Sequence, residues 1–402
     1  MALILHFLSS CFGKGRSQNP KSQIDKASKQ FIKIQGWLIE AEHRYAWYLE
    51  DKGGSFTVSY LINSCGMSPE IALNVSERVH FETRERPDSV IKLLKDHGLN
   101  DAQIPLLVKK LPRLLLYNAE TLLPKLEFFG SIGLSGTCLL CNPIILTRSL
   151  EKCILPCYDL IKSIVVEDKR VAKFFRTPKC TVSADSLRYL VSIVAILRGL
   201  QVPGSTISIY VTWYPLMFVQ KTECFKEDVN KVMSMGIPPS SYSTFMQALV
   251  ATFPLDASKW EQKMQFYKGW GWTEDDIISA FRQNPMFMKL SEKIVSPKMY
   301  FLVNKMGWQP TDVARNSYVL GYSLEKRIIP TCSVIRVLLL KGLIKKGECS
   351  LVNILKMSEK YLNKFLLKYQ QQVPEILSIY QGKTSLAELG LGFEETARVD
   401  HL

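Results

Sequence analysis

Residues 284–297 read NPMFMKLSEKIVSP, and this stretch contains the pattern that decides the fold. An apolar segment leads up to Pro285, and a second proline follows at Pro297. Because proline lacks an N–H donor and disfavours helical backbone in the residue before it, a helix must end or bend at Pro285. Pro297 suits the first turn of the next helix, where a missing donor costs nothing. The stretch therefore predicts two helices separated by a proline break.

The same pattern recurs along the chain. Prolines that follow an apolar segment stand 31, 35, 37, 39 and 31 residues apart, at Pro112, Pro143, Pro178, Pro215, Pro254 and Pro285. A second proline comes twelve or thirteen residues after the first at Pro124, Pro156 and Pro297, and Pro330 has the same relation to Ser317. The segments between them are alike: Ser149-Leu150-Glu151-Lys152, Ser291-Glu292-Lys293 and Ser323-Leu324-Glu325-Lys326. A period in this range is typical of stacked helical units.

Signals for helix ends fit the same repeat. Glycines placed to stop helices follow the apolar segments at Gly130, Gly133, Gly199, Gly236, Gly269, Gly271, Gly307 and Gly342. Thr273 is placed to cap a helix, with Asp276 as its reciprocal partner. Strand signals are weak, since the β-branched residues 207–211 occupy a position that is helical in the other repeats. We therefore predict an all-α superhelical solenoid of tandem repeats of about 30–39 residues, whose neighbouring units bury each other's apolar faces.

The repeated motif resembles the core motif of the mitochondrial transcription termination factor (mTERF) family. It appears as Leu111-Pro112-Arg113-Leu114-Leu115, Asn142-Pro143-Ile144-Ile145-Leu146 and Asn284-Pro285-Met286-Phe287-Met288. The C-terminal part, from Ser358-Glu359-Lys360-Tyr361-Leu362 to Val373-Pro374-Glu375-Ile376-Leu377, is similar to that of plant members. The resemblance covers residues 55–382, although the repeats at Pro178, Pro215 and Pro254 lack the second proline.

The resemblance implies an organellar protein that binds nucleic acid on a positively charged concave face of the superhelix. Its implied partners are double-stranded DNA, RNA or both, together with other organellar expression factors. Its implied roles are transcription termination, transcription regulation, or RNA processing and intron splicing. The resemblance identifies no base-reading residues. A helical-repeat scaffold that binds proteins and not nucleic acid is the alternative. We expect a monomer with no membrane span.

The N-terminal residues differ in composition from the rest. Residues 1–24 contain Lys14, Arg16 and Lys21, several serines and no acidic residue, which is typical of an organellar transit peptide. A secretory signal is the competing interpretation, but no basic residue precedes the apolar start of the chain. We expect the following organisation: a transit peptide at 1–30, a helical segment at 31–54, the repeat array at 55–382 and a polar tail at 383–402. The expected location is the mitochondrion, with the chloroplast as the alternative.

Basic residues exceed acidic ones by 51 to 37 among 402 residues, a net charge of +14 that favours polyanion partners. One candidate set for phosphate binding is spaced by four residues, as on one helix face: Lys356, Lys360, Lys364 and Lys368. The second set is Arg327, Arg336, Lys341, Lys345 and Lys346. Arginines near the repeat prolines form the third: Arg113, Arg148, Arg282 and Arg315. An ordinary solvated surface is the alternative for each set.

Two further groups of residues suit nucleic acid less specifically. A less purely basic cluster comprises Lys162, Lys169, Arg170, Lys173, Arg176 and Lys179. Tryptophans could stack on unpaired bases, although most are expected in the core: Trp213, Trp260, Trp270, Trp272 and Trp308.

Residues for catalysis or metal binding are sparse. Ten cysteines lie mostly among apolar neighbours, which indicates buried free thiols in a reducing compartment. The pairs Cys138 and Cys141, and Cys153 and Cys157, have spacings seen in zinc sites, but their apolar flanks favour core thiols. No histidine lies between residues 98 and 400. We therefore predict no catalytic site, no metal and no cofactor.

Overall fold

The computed structural model describes residues 55–134, 136–165, 167–178, 180, 182–345 and 351–384. The predicted transit peptide, the segment 31–54, Lys346 and nearly all of the tail lie outside these residues. The described part contains helices and turns without any strand, which confirms the predicted all-α repeat fold. The chain divides into two compact units, Met1–Thr147 and Arg148–Leu402.

The first unit contains six described α-helices. They are α1 (Phe56–Asn63), α2 (Pro69–Ser76), α3 (Glu85–Asp96), α4 (Ile104–Lys110), α5 (Ala119–Ser131) and α6 (Gly136–Leu139). Two 3₁₀ turns, Pro112–Leu116 and Pro143–Thr147, begin at the first prolines of their repeats.

The second unit is also built of short α-helices connected by turns. Its α-helices are α7 (Leu155–Ile164), α8 (Asp168–Arg176), α9 (Ala184–Gly199), α10 (Gly204–Trp213), α11 (Pro215–Phe218), α12 (Thr222–Ser234), α13 (Tyr242–Thr252), α14 (Ala257–Gly269), α15 (Glu274–Gln283), α16 (Glu292–Tyr300), α17 (Pro310–Arg315), α18 (Ile329–Leu340), α19 (Leu351–Lys356), α20 (Glu359–Lys368) and α21 (Ile376–Tyr380). The 3₁₀ turns are Pro285–Lys289 and Ser317–Gly321, and the π-helical segments are Leu150–Ile154, Phe301–Lys305 and Leu324–Ile328.

One repeat shows how the sequence produces the unit. Helix α14 ends at Gly269, and two residues later Gly271, with φ of +88°, lets the N–H of Trp272 donate to the carbonyl of Tyr267 at 3.3 Å. Trp272 is thereby buried at the start of the next helix. Thr273 and Asp276 then form the predicted reciprocal cap of α15. The proline turn Pro285–Lys289 follows and packs against α13 and α15, so each element buries its apolar face against close neighbours.

The repeat at α9 places a non-glycine residue where the other repeats have glycine. Helix α9 ends at Gly199, as predicted, but the left-handed residue that follows it is Gln201, with φ of 60°. The N–H of Gln201 donates to Arg198, and that of Val202 donates to Leu197, as at the glycine turns. A Cβ in this conformation costs about 1–2 kcal/mol.

We expect Gln201→Gly to stabilise the chain by about 1 kcal/mol, because it removes this conformational cost and no side-chain hydrogen bond of Gln201 is present among the described residues. Gly342 is the matched control, since its φ is 68° and an added Cβ meets no atom within 4 Å. Gly342→Gln should therefore destabilise the chain by a similar amount. Thermal unfolding of the two variants measures both effects, and shifts of the same sign would contradict this account.

The second prolines occupy two different positions. Pro156 and Pro330 are the second residues of α7 and α18, but each of these helices directly continues a π-helical segment that begins after Ser149 or Ser323, so neither proline lies in the first turn of the continuous helix. Pro124 and Pro297 are the sixth residues of α5 and α16, so the prediction of a first-turn position is wrong for them as well. These helices start earlier than predicted because Asn118 and Ser291 serve as their N-caps.

The spacing between the first and second prolines of a repeat indicates whether the helix contains one extra residue in a π-helical turn. Where they stand thirteen residues apart, as at Pro143 and Pro156, a π-helical segment comes before the second proline. In Leu150–Ile154 the N–H of Ile154 donates to Ser149 five residues earlier, at 3.1 Å, and Leu324–Ile328 before Pro330 repeats this arrangement. Where the spacing is twelve, the extra residue is missing. One inserted residue is thus absorbed within a single turn.

Lysines connect consecutive repeats. In three repeats a lysine stands seven residues after the N-cap of its helix. Its Nζ donates a hydrogen bond to a backbone carbonyl in, or one residue after, the 3₁₀ turn of the next repeat. Lys125 donates to Leu146 at 2.9 Å, Lys298 donates to Leu320 at 2.7 Å, and Lys263 donates to Leu290. Lys298 is 7% exposed, and this burial lowers the pKa of its ammonium group. These lysines have a structural role and are unavailable to phosphate.

Candidate nucleic-acid interface

The lysines predicted to share one C-terminal helix lie on two helices. Helix α19 ends at Lys356, and Ser358, in extended conformation, is the N-cap of α20. The prediction that Lys356 and Lys368 lie on a single helix is therefore wrong. The cause is local, since serine favours the N-cap position and Glu359 suits the positive end of the new helix. The Lys356 ammonium lies 4.2 Å from the centre of the Tyr318 ring.

The remaining three lysines form a row on α20. Lys360, Lys364 and Lys368 are exposed, while Leu362 and Leu366 on the opposite side are almost fully buried. Apolar side chains that are more than half exposed flank the row on either side, namely Tyr361 and Leu367. We call these five exposed residues the α20 face. It combines three positive charges with one aromatic ring at the surface.

Arg327 holds the start of α20 in place. Its guanidinium, 12% exposed, lies 2.9 Å from the Glu359 carboxylate and donates to Tyr380 Oη at 3.1 Å. It also donates to the carbonyls of Leu355 and Met357, which the end of α19 leaves without helical partners. Arg327 was predicted to bind phosphate, but its geometry gives it a structural role. Because Glu359 faces Arg327, the one acid among residues 356–368 is already paired.

The other described members of the second candidate set have different surroundings. Lys341 Nζ lies 3.1 Å from the Glu375 carboxylate. Arg336 is half-buried on α18, and Lys345 is exposed beyond that helix.

The arginines near the repeat prolines have four different environments. Arg113 is exposed on its 3₁₀ turn, whereas the buried Nε of Arg148 has no hydrogen-bond partner among the described residues. Arg282 Nε donates at 2.6 Å to the carbonyl of Met235, at the C-terminal end of α12. Arg315 is largely exposed and lies 3.6 Å from Asp312. Similar positions in the repeat therefore did not give similar surroundings.

A contact between a residue of the candidate basic cluster and a candidate tryptophan could not be predicted from the sequence. The Lys173 ammonium, on α8, lies over the ring of Trp213 at the end of α10. Trp213 is 63% exposed, whereas Trp272 and Trp308 are buried as expected. The candidate cluster and the candidate tryptophan stand forty residues apart in sequence, so only the packing of α8 against α10 brings them together.

The described residues offer little for other chemistry. No group of three or more His, Cys, Asp or Glu side chains in this part of the chain is arranged to hold a metal ion. Burial raises the pKa of Cys65 and Cys180 to about 12, which suits core thiols. None of the described helices combines the length and apolar character needed to cross a membrane.

A comparison with protein families identifies a match for most of the chain. The family model mTERF matches residues 91–212 and 190–363, two overlapping stretches that together span more than half of the 402 residues. A comparison with curated proteins finds no match.

Proposed function

The chain belongs to the mTERF family, whose members are organellar nucleic-acid-binding proteins of helical repeats, and from this premise we propose that it binds nucleic acid through the α20 face. The proposed role is regulation of organellar gene expression, as transcription termination, transcription regulation, RNA processing or intron splicing. The proposed site of action is the mitochondrion, with the chloroplast as the alternative. Binding requires no catalytic group.

The observation that carries this proposal is the row of unpaired charges on α20. Lys360, Lys364 and Lys368 make no ion pair within the described residues, and the Lys368 ammonium lies 5.3 Å from the centre of the Tyr369 ring. Side chains four residues apart on a helix have Cβ atoms about 6 Å apart, so their flexible stems can reach phosphates along one strand. Positive charges held this way favour a polyanion over an uncharged surface.

Lysines of this kind supply affinity more than sequence selectivity. A lysine ammonium binds phosphate as a point charge, and phosphate contacts carry no direct sequence information. Double-stranded DNA and RNA are therefore both proposed partners of the α20 face.

The test is a salt titration of binding by the full chain. Duplex DNA, single-stranded DNA and RNA of one sequence serve as probes, with fluorescence anisotropy as the measurement. Each phosphate contact contributes about 0.9 to the log–log slope for duplex DNA and about 0.7 for single strands. Three lysines should therefore give a slope of at least about 2. Uncharged peptide nucleic acid of the same sequence is the control and should not bind. Absence of binding to all three probes at low salt would favour a protein-binding scaffold.

A further inference from the structure

A second exposed surface combines an aromatic ring with cations. Helix α8 is strongly amphipathic, because Val171, Phe174 and Phe175 are buried while Lys169 and Arg176 are exposed. Residues 169, 173 and 176 are spaced by four and three, so their side chains share one side of the helix. That side carries three positive charges and adjoins the end of α10, where Trp213 lies.

Trp213 presents an open ring face. The Lys173 ammonium covers one face of the indole, yet 63% of the residue is exposed. Because the Lys173 ammonium lies on one face only, this exposed area lies mainly on the other face and the edges of the indole. Tryptophan is usually well buried, so a ring presented in this way suits a ligand that covers it.

Further aromatic and basic groups adjoin the ring in sequence and space. Tyr214 follows Trp213 and stacks on Tyr210, with ring centres 5.7 Å apart. The Lys289 ammonium lies 4.9 Å from the centre of the Tyr214 ring. Desolvation, and then the nearby Arg176 guanidinium, lower the pKa of Lys173. An anion bound here would relieve the repulsion between Lys173 and Arg176.

We propose that Trp213 stacks on an unpaired nucleobase while Lys173, Arg176 and Lys289 bind the phosphates on either side of it. The ligand is single-stranded nucleic acid, because bases in a duplex have both faces covered by their neighbours. A planar base on the open indole face gains stacking from any base type, and the cations hold the backbone beside it. This inference rests on the proposed function and extends it to a second contact point and a strand preference.

The test compares Trp213→Ala with the wild-type full chain. The probes are a 12-nucleotide RNA, the DNA of the same sequence, and the matching duplex, at one fixed salt concentration. We expect the alanine variant to bind both single strands about tenfold more weakly, which is at the lower end of the effect of a base–aromatic stack, and the duplex within twofold of wild type. Trp213→Phe should retain most of the single-strand affinity.

Two controls separate stacking from other effects. Tyr242→Ala removes another exposed aromatic ring, 47% exposed at the start of α13, and should change nothing. An abasic 12-mer keeps the phosphates and lacks the bases, so it should bind wild type and Trp213→Ala equally. Circular dichroism melting confirms that each variant is folded.

The outcomes distinguish this inference from the proposed function. If Trp213→Ala leaves single-strand binding unchanged, or weakens the duplex equally, the stacking site is wrong and binding through the α20 face stands. If the wild-type chain binds no nucleic acid, the proposed function is wrong and the stacking site is wrong with it.

Discussion

Replacing Lys360, Lys364 and Lys368 together by glutamine is expected to weaken binding of duplex and single-stranded nucleic acid about 100-fold at about 0.1 M salt. The reason is that each lysine–phosphate contact releases counterions, whose contribution is about 0.9 in the log–log slope for duplex DNA. The slope should therefore fall by about 2 to 3 as well. Fluorescence anisotropy over a range of salt concentrations measures both quantities.

The matched control changes the same number of charges elsewhere. Lys221, Lys226 and Lys293 are exposed and make no ion pair with another described residue. Their joint replacement by glutamine lowers the net charge equally and should weaken binding less than threefold. Equal losses in the two triple variants would show that net charge matters and the α20 face does not.

Arg327→Ala is expected to lower the free energy of unfolding of the C-terminal helices by about 3 kcal/mol. The change removes hydrogen bonds from a nearly buried guanidinium and leaves the carbonyls of Leu355 and Met357 without partners. The exposed Glu359 carboxylate contributes little to this loss. Hydrogen exchange of α19, α20 and α21 is the measurement, and protection should fall in all three helices because Arg327 contacts the first two and Tyr380 at the end of α21.

Two further variants make this result specific. Arg327→Lys should restore little stability, because one ammonium group cannot match the planar fork that reaches four partners. Arg315→Ala removes an exposed arginine whose ion pair with Asp312 is 3.6 Å long, so it should change stability by less than about 0.5 kcal/mol. Unchanged protection of α20 in Arg327→Ala would contradict the structural role of this arginine.

Local sequence signals predicted the repeat and several of its boundaries. The proline period required helices that break at fixed intervals, and the cap of α15 by Thr273 and Asp276 could be read from spacing alone. These features depend on residues within one turn of each other, which is the range over which capping and proline sterics act. The all-α repeat fold followed from them.

The candidate site depended on contacts that sequence spacing does not show. Residues 356–368 keep their basic period of four across the break at Ser358, so the pattern alone favoured one helix. The break is supported by Arg327, which lies about thirty residues earlier and binds the carbonyls exposed there. The contact between Lys173 and Trp213 is similarly remote, and both require the packing of separate repeats.

The extra residue in Leu150–Ile154 and Leu324–Ile328 limits how repeats can be exchanged in engineered arrays. Repeats with twelve-residue proline spacing carry a lysine after the second proline, Lys125 or Lys298, whereas those with thirteen carry Cys157 or Thr331. A hybrid that takes the long spacing with the lysine would have to place a charged side chain where the parent repeat buries a small one. The proline spacing and the residue after the second proline must therefore be transferred together. A consensus sequence averaged over all repeats would combine the spacing of one repeat type with the residue of the other.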